Sequence, residues 1–163
     1  MGYTTEFEGE FTVTPKLKPE HREYIAAFSR TRRMKRKAAE TAKREDKLRL
    51  AVKLPVGPEG AYFVGSQSDS GQEHTPDITD YNSPPSGQPG LWCQWTPNED
   101  GTAIRWDGGE KFYEYVEWIE YLMDNFLKPW GYKLKGEVLW RGESFHDNGK
   151  ITINHNMDLI IGR

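Results

Sequence analysis

Glu6-Phe7-Glu8-Gly9-Glu10-Phe11-Thr12-Val13-Thr14 alternates without a break: Phe7, Gly9, Phe11 and Val13 fall on one side, Glu6, Glu8, Glu10, Thr12 and Thr14 on the other. A period of two is that of a β-strand, and the split in polarity asks for one face in a core and the other in water. The rest of the chain must supply this half-buried strand with sheet partners and a cover for its apolar face.

Downstream, Pro19 suits the first position of a helix, where its missing N–H is no loss. Tyr24, Ile25 and Phe28 then make an inward stripe, so a helix is predicted from Pro19 to about Arg32. Leu91 to Pro97, a turn ending at Gly101, and Thr102 to Trp106 read as a hairpin, with Gly101 available for the positive φ of the return. Within it, Trp92 and Gln94 should face opposite Cys93 and Trp95. Asp107 with Glu110 three residues on resembles a capping box. The helix it opens is predicted to run to about Leu127, burying Phe112, Tyr115, Val116, Ile119, Leu122, Met123 and Phe126, with Pro129 ending it. Tyr113, Trp118 and Tyr121 cannot all join that stripe. Tyr132 to Trp140, Ile151 to Asn156 and Asp158 to Gly162 read as strands, with a tight turn at Asp147-Asn148-Gly149.

Leu48, Leu50, Val52 and Leu54 alternate with Arg49 and Lys53, which predicts a strand with one basic face and a hairpin partner at Ala61 to Val64. The element order gives the α+β class: an antiparallel sheet of about five to seven strands with two main helices on one face, a sandwich related to ferredoxin-like arrangements. At 163 residues a single domain is expected, 1–163, with 33–47 as a basic arm or helix extension and 66–90 as an irregular loop. That loop is rich in Ser, Pro and Gly and carries Asp69, Glu73, Asp77 and Asp80.

Charge is divided unevenly. Arg30 to Lys53 holds eleven Lys or Arg against Glu40, Glu45 and Asp46, a net of +8, so the remainder carries −11 to reach the total of −3. The six tryptophans all lie between Trp92 and Trp140. An acidic, aromatic body with one basic segment suits recognition. No stretch approaches the ~18 apolar residues of a membrane span, and the first residues lack a basic start followed by an apolar run. The expectation is a cytoplasmic protein that does not engage a membrane.

Three blocks, MGYTTEFEGEFTVTP at the start, YNSPPSGQPGLWCQW at 81–95 and IRWDGGEKFYEYVEWIEYLMDNFL at 104–127, resemble a family of small uncharacterised proteins of bacteria and their phages. The likeness covers residues 1 to about 33 and 79 to about 142. It implies an α+β fold, a cytoplasmic location, and a phage or prophage setting in which small accessory proteins bind host components. Residues 34–66 match no pattern of that family.

Catalytic signatures are weak. Asp107 and Glu110 are explained by capping, and Trp106-Asp107-Gly108-Gly109 lacks the longer glycine pattern of a phosphate loop. Cys93, alone and between tryptophans, predicts an inert thiol. His146, Asp147, His155 and Asp158 flank the last hairpin without metal-site spacing. No catalytic residue, metal or cofactor is therefore expected. The favoured function is a protein-binding module of phage or prophage type that modulates a host factor, with Trp92, Gln94 and Tyr81 as its contact residues. Arg32, Arg33, Lys35, Arg36 and Lys37 form a separate electrostatic contact. Two alternatives stand beside it: a nucleic-acid binder using residues 30–53, whose affinity would fall steeply with salt, and a ligand binder or enzyme with a pocket under the 66–90 loop. Pairing of the basic segment with the acidic body of a second copy would make a homo-oligomer.

Overall fold

The alternating segment forms strand β1 (Glu6–Thr14). In the computed structural model, which describes residues 2–65 and 75–162, β1 lies inside a six-stranded antiparallel sheet. Its neighbours are β5 (Ala103–Trp106) and β6 (Lys133–Arg141). With β4 (Trp95–Pro97), β7 (Asn148–Ile153) and β8 (Leu159–Gly162) the order is β4-β5-β1-β6-β7-β8. The fold is α+β. The chain divides into two compact units, Met1–Lys18 with Gln94–Arg163, and Pro19–Cys93. The first holds the whole sheet.

In the sheet unit, Phe11, Val13, Trp95, Ile104, Leu134, Val138, Ile151 and Ile153 are buried, while Glu8, Glu10, Lys135, Glu137 and Lys150 face water. The helical segment that follows β5 supplies the rest of this core through Trp118, Ile119, Leu122, Met123, Phe126 and Leu127. Trp118 joins the buried stripe, Tyr121 is half-buried and Tyr113 is exposed. That helix, α4 (Tyr115–Leu122), starts later than Asp107 would place it. Lys111 and Glu114 adopt positive φ, and the Asp107 carboxylate accepts the Gly109 N–H at 2.8 Å in a local turn. Nor does Pro129 stop the helix. A wide π turn, Met123–Leu127, leads into α5 (Lys128–Trp130), and Gly131 follows. An α-helical register would need the absent N–H of Pro129 and crowd its ring on the Asn125 carbonyl; the wider turn relieves both.

The predicted turn at Asp147-Asn148-Gly149 lies elsewhere. Gly142 and Asp147 close it, and Asn148 and Gly149 already pair with Arg141 and Trp140. Gly149 serves packing, because a Cβ there would sit 2.3 Å from the Trp140 ring. Gly9 serves geometry. Its φ is +102°, and an added Cβ would stand 2.7 Å from the Glu137 carbonyl oxygen. Gly9→Ala is expected to cost about 1–3 kcal/mol through backbone strain and that clash, read as a lower urea midpoint at unchanged m-value.

The other unit holds α1 (Pro19–Ser29), β2 (Lys35–Arg36), α2 (Ala38–Thr41), α3 (Lys47–Ala51), a 3-10 turn (Pro58–Gly60) and β3 (Ile78–Asp80). β2 pairs with β3. Since α1 belongs here, the cover of the sheet within its own unit is the 115–130 segment. Two expectations are corrected in this unit. Residues 33–47 are folded into β2 and α2, and Arg33, Met34, Arg36, Thr41 and Asp46 are buried. Residues 47–51 are helical, with Arg49 and Val52 inward and Leu50 outward, because the Asp46 carboxylate accepts from Arg49 Nε at 2.6 Å across one turn. Ala61–Val64 is correspondingly a turn and irregular chain. Of the 66–90 loop, residues 66–74 lie outside the described residues; residues 75–90 contain β3 and bury Asp77, Pro85 and Gln88.

Candidate functional site

β1 pairs with β6 along its whole length, from Glu6 opposite Arg141 to Thr14 opposite Lys133. Its ladder to β5 is confined to Phe11 and Thr12. Beyond Gly9 the first part of β1 is therefore no longer hydrogen-bonded to β5, and Trp106 at the end of β5 borders an opening. The hollow there has a volume of about 540 Å³. Phe7, Trp106, Trp140 and Leu139 give it apolar walls, Gly149 and Asn148 close one side, and Glu6, Glu8 and Arg141 edge it. A second hollow runs on from Arg141 and Asn148 along the β6–β7 connection, past Glu143, Phe145 and His146.

The aromatic wall is built by the sheet and the start of α4. Phe7 lies edge-on to Trp95 at 5.4 Å and to Tyr115 at 4.9 Å, and its ring is 5.4 Å from Trp106. Trp106 is held by its indole N–H, which donates to Gln94 Oε1 at 3.1 Å; Gln94 Nε2 donates to the Glu110 carbonyl at 2.8 Å. On the other side, the chain before β1 fastens the β6–β7 connection. Tyr3 Oη donates to Asp147 at 2.6 Å and accepts from the Ser144 N–H at 3.2 Å, and Glu143 accepts from the Thr4 N–H. The tip of this anchored connection is Phe145, 88% exposed. Leu139, on the outward face of β6, is 49% exposed. Phe145 lines the second hollow, which shares Arg141 and Asn148 with the first, and an exposed aromatic on an anchored backbone suits a docking surface.

The residues singled out by sequence are distributed differently. Tyr81 is half-buried with the Arg32 guanidinium 4.1 Å from its ring centre, and Arg32 Nε donates to the Tyr81 carbonyl at 3.0 Å. Trp92 is half-buried in the same unit. Gln94 belongs to the sheet unit, is buried, and spends its amide on Trp106 and Glu110, so it is not a surface contact. Of the five cations, Arg33 and Arg36 are 1% and 3% exposed and are not available to a partner. Arg33 donates to the Phe63 carbonyl at 2.5 Å, and Arg36 to Asp77 at 2.8 Å. Lys35 lies 3.8 Å from Glu59, and Lys37 is exposed. Within the segment Arg49 pairs with Asp46, and Lys43 and Lys47 lie beside Glu40 and Glu45, acids already counted in its net of +8; from outside it, Asp77 meets Arg36 and Arg44, and Glu59 lies beside Lys35.

Among the described residues no three His, Cys, Asp or Glu side chains gather as metal ligands. His146 and His155 are both exposed, His74 lies outside the described residues, and Cys93 is buried. Among the described residues no helix is long and apolar enough to cross a membrane. The hollow itself was hidden in the sequence. Its residues were visible as strand faces, but the opening depends on where the β1–β5 ladder stops. Comparison with protein-family models, curated proteins and solved structures finds no match to this chain.

Proposed function

We propose that this chain is a small protein-binding module that docks a partner through the hollow at the end of its sheet. The observation that carries the reading is the exposed Phe145 side chain on a loop tied down by Tyr3, lining a second hollow that shares Arg141 and Asn148 with the one walled by Phe7, Trp106 and Leu139. Exposed aromatics on rigid supports lose little entropy on binding and recur as interface anchors. In the phage or prophage setting that the resemblance implies, the partner is a host protein in the host cytoplasm. Of the sequence-based contacts, Trp92 and Tyr81 are retained as a partner-binding patch, and Arg32, Lys35 and Lys37 as a separate electrostatic contact.

The test is affinity purification of tagged protein from a bacterial lysate, with and without nuclease, comparing wild type with Phe145→Ala and Leu139→Lys. Phe145→Ala is expected to lower capture of a stoichiometric protein by about tenfold, a loss of ~1.4 kcal/mol, with an unchanged melting temperature because the side chain packs on so little. Equal capture by all three forms sinks the hollow as the docking site. Nucleic acid that elutes in place of protein would move the function to the basic segment, and an empty column to a small ligand.

A further inference from the structure

The outward face beside the hollow has a charge pattern that narrows the partner's chemistry. Glu6, Glu8 and Glu10 occupy alternate positions of β1 and all three are exposed. Glu6 lies 3.5 Å from Arg141, with both side chains largely in solvent. Glu137 is 3.4 Å from Lys150. Glu8 and Glu10 have no ion pair among the described residues, and Glu10 sits directly opposite Glu137 on the same exposed face. Like charges facing each other across an antiparallel pair destabilise a sheet. Lys150 beside Glu137 offsets part of that repulsion, and a cation laid against Glu10 would offset the rest.

Resting on the docking role proposed above, we infer that the hollow receives an extended, cationic segment of the partner protein, with lysine or arginine at alternate positions. The spacing fits. Side chains two residues apart on an extended chain are about 6.5–7 Å apart, so one segment lying along β1 sets successive cations against Glu8 and Glu10. A third cation at the next alternate position meets Glu6 at the rim of the hollow, and the residues between the cations turn toward its Phe7 and Trp106 walls. Arg141, the one cation among the described residues that line the hollow, is already beside Glu6 through an exposed pair that an incoming charge can displace.

Three blocked nonapeptides distinguish this from docking by shape alone: lysine at alternate positions separated by valine, and the same peptide with glutamine or glutamate replacing lysine. Tryptophan fluorescence and calorimetric titration are expected to give the lysine peptide an affinity about tenfold above the glutamine peptide at ~50 mM salt, shrinking below about threefold at ~500 mM as screening shortens the reach of the charges. Replacing Glu8 and Glu10 together by glutamine should remove that preference. The same double variant should melt about 1–2 °C higher, since the Glu10–Glu137 repulsion is gone. Equal binding of lysine and glutamine peptides overturns the cationic partner while leaving the hollow as a docking site. A lysine preference that persists in the double variant places the cation elsewhere and overturns it too. If none of the peptides binds up to about 1 mM, the inference fails, and capture dependent on Phe145 and Leu139 decides separately whether the docking role survives.

Discussion

Asp77→Ala should destabilise the Pro19–Cys93 unit by about 3–5 kcal/mol, because it takes the carboxylate away from a buried guanidinium. Arg36 and Asp77 meet at 2.8 Å, with side chains only 1% and 5% exposed. The same carboxylate accepts from Thr41 Oγ1 at 2.8 Å and from Thr75 Oγ1, and Arg44 stands 3.5 Å away. The Phe63 ring, 4.5 Å from the Arg36 charge, cannot replace that anion. Urea unfolding measures the loss, and amide exchange should assign it to residues around β2, α2 and β3. The double replacement Arg36→Met with Asp77→Leu should cost clearly less than Asp77→Ala, since it removes both charges together. An Asp77→Ala variant within about 1 kcal/mol of wild type would mean that water reaches Arg36, and the argument from burial would fail.

The same carboxylate sets an acid limit. Burial pushes the Asp77 carboxyl up, but hydrogen bonds from Thr75, Thr41 and Arg36 and the charge of Arg36 outweigh it and hold the group at about 2, against an ordinary 3.8. A depressed folded value contributes stability that is complete above the unfolded value and is lost as pH falls from about 4 toward 2. That contribution is about 2 kcal/mol. Asp46 has the opposite sign: burial raises its carboxyl despite hydrogen bonds from Arg49, Val64 and Gly65. Its protonation in acid favours the folded state and partly offsets the loss. Acid destabilisation between about pH 4 and 2 should therefore be shallower in Asp77→Ala than in wild type. An identical slope would assign the acid limit to other carboxylates.

How much of this was legible follows from the range of the forces involved. β1 was read residue for residue, since alternation is local and its two faces have unlike solvents. Trp95 and Trp106 were placed on a hairpin that does form, and Ile119, Leu122 and Phe126 on a buried helical stripe. Leu48 to Leu54 misled because the same spacing of leucines admits a short helix, and the deciding term was a side-chain pair, Asp46 with Arg49. Arg33 and Arg36 look in sequence like their neighbours Arg32, which is half-buried, and Lys37, which is exposed. What buries them is supplied from far along the chain, by the Phe63 carbonyl and Asp77. The hollow is hidden for the same reason. Phe7, Glu8 and Trp140 show which face they take, but not that β6 follows β1 where β5 does not.

Trp95→Ala is the second large effect, expected at about 3–5 kcal/mol. Trp95 is fully buried and lies within 5.3–5.7 Å of the Phe7, Phe11 and Phe112 rings, each edge-on. Its indole N–H donates to the Tyr115 carbonyl at 2.8 Å, tying β4 to the first residue of α4. That end of the helix has no side-chain cap, so the indole is one of the few groups fixing where it begins. Alanine would open a cavity under Phe7 and leave the Tyr115 carbonyl without that donor. Trp95→Phe keeps most of the ring surface and lacks only the donor, so it should cost about 1–2 kcal/mol. Urea midpoints of the two variants separate the contributions, since packing dominates if alanine is far worse and the hydrogen bond if they match. Peptide binding adds an independent reading. Phe7 forms one wall of the hollow and rests on Trp95, so alanine should weaken docking even where the protein is still folded, while phenylalanine should preserve it. Loss of docking in Trp95→Phe at near-native stability would mean that the position of α4, rather than ring support, keeps the hollow open.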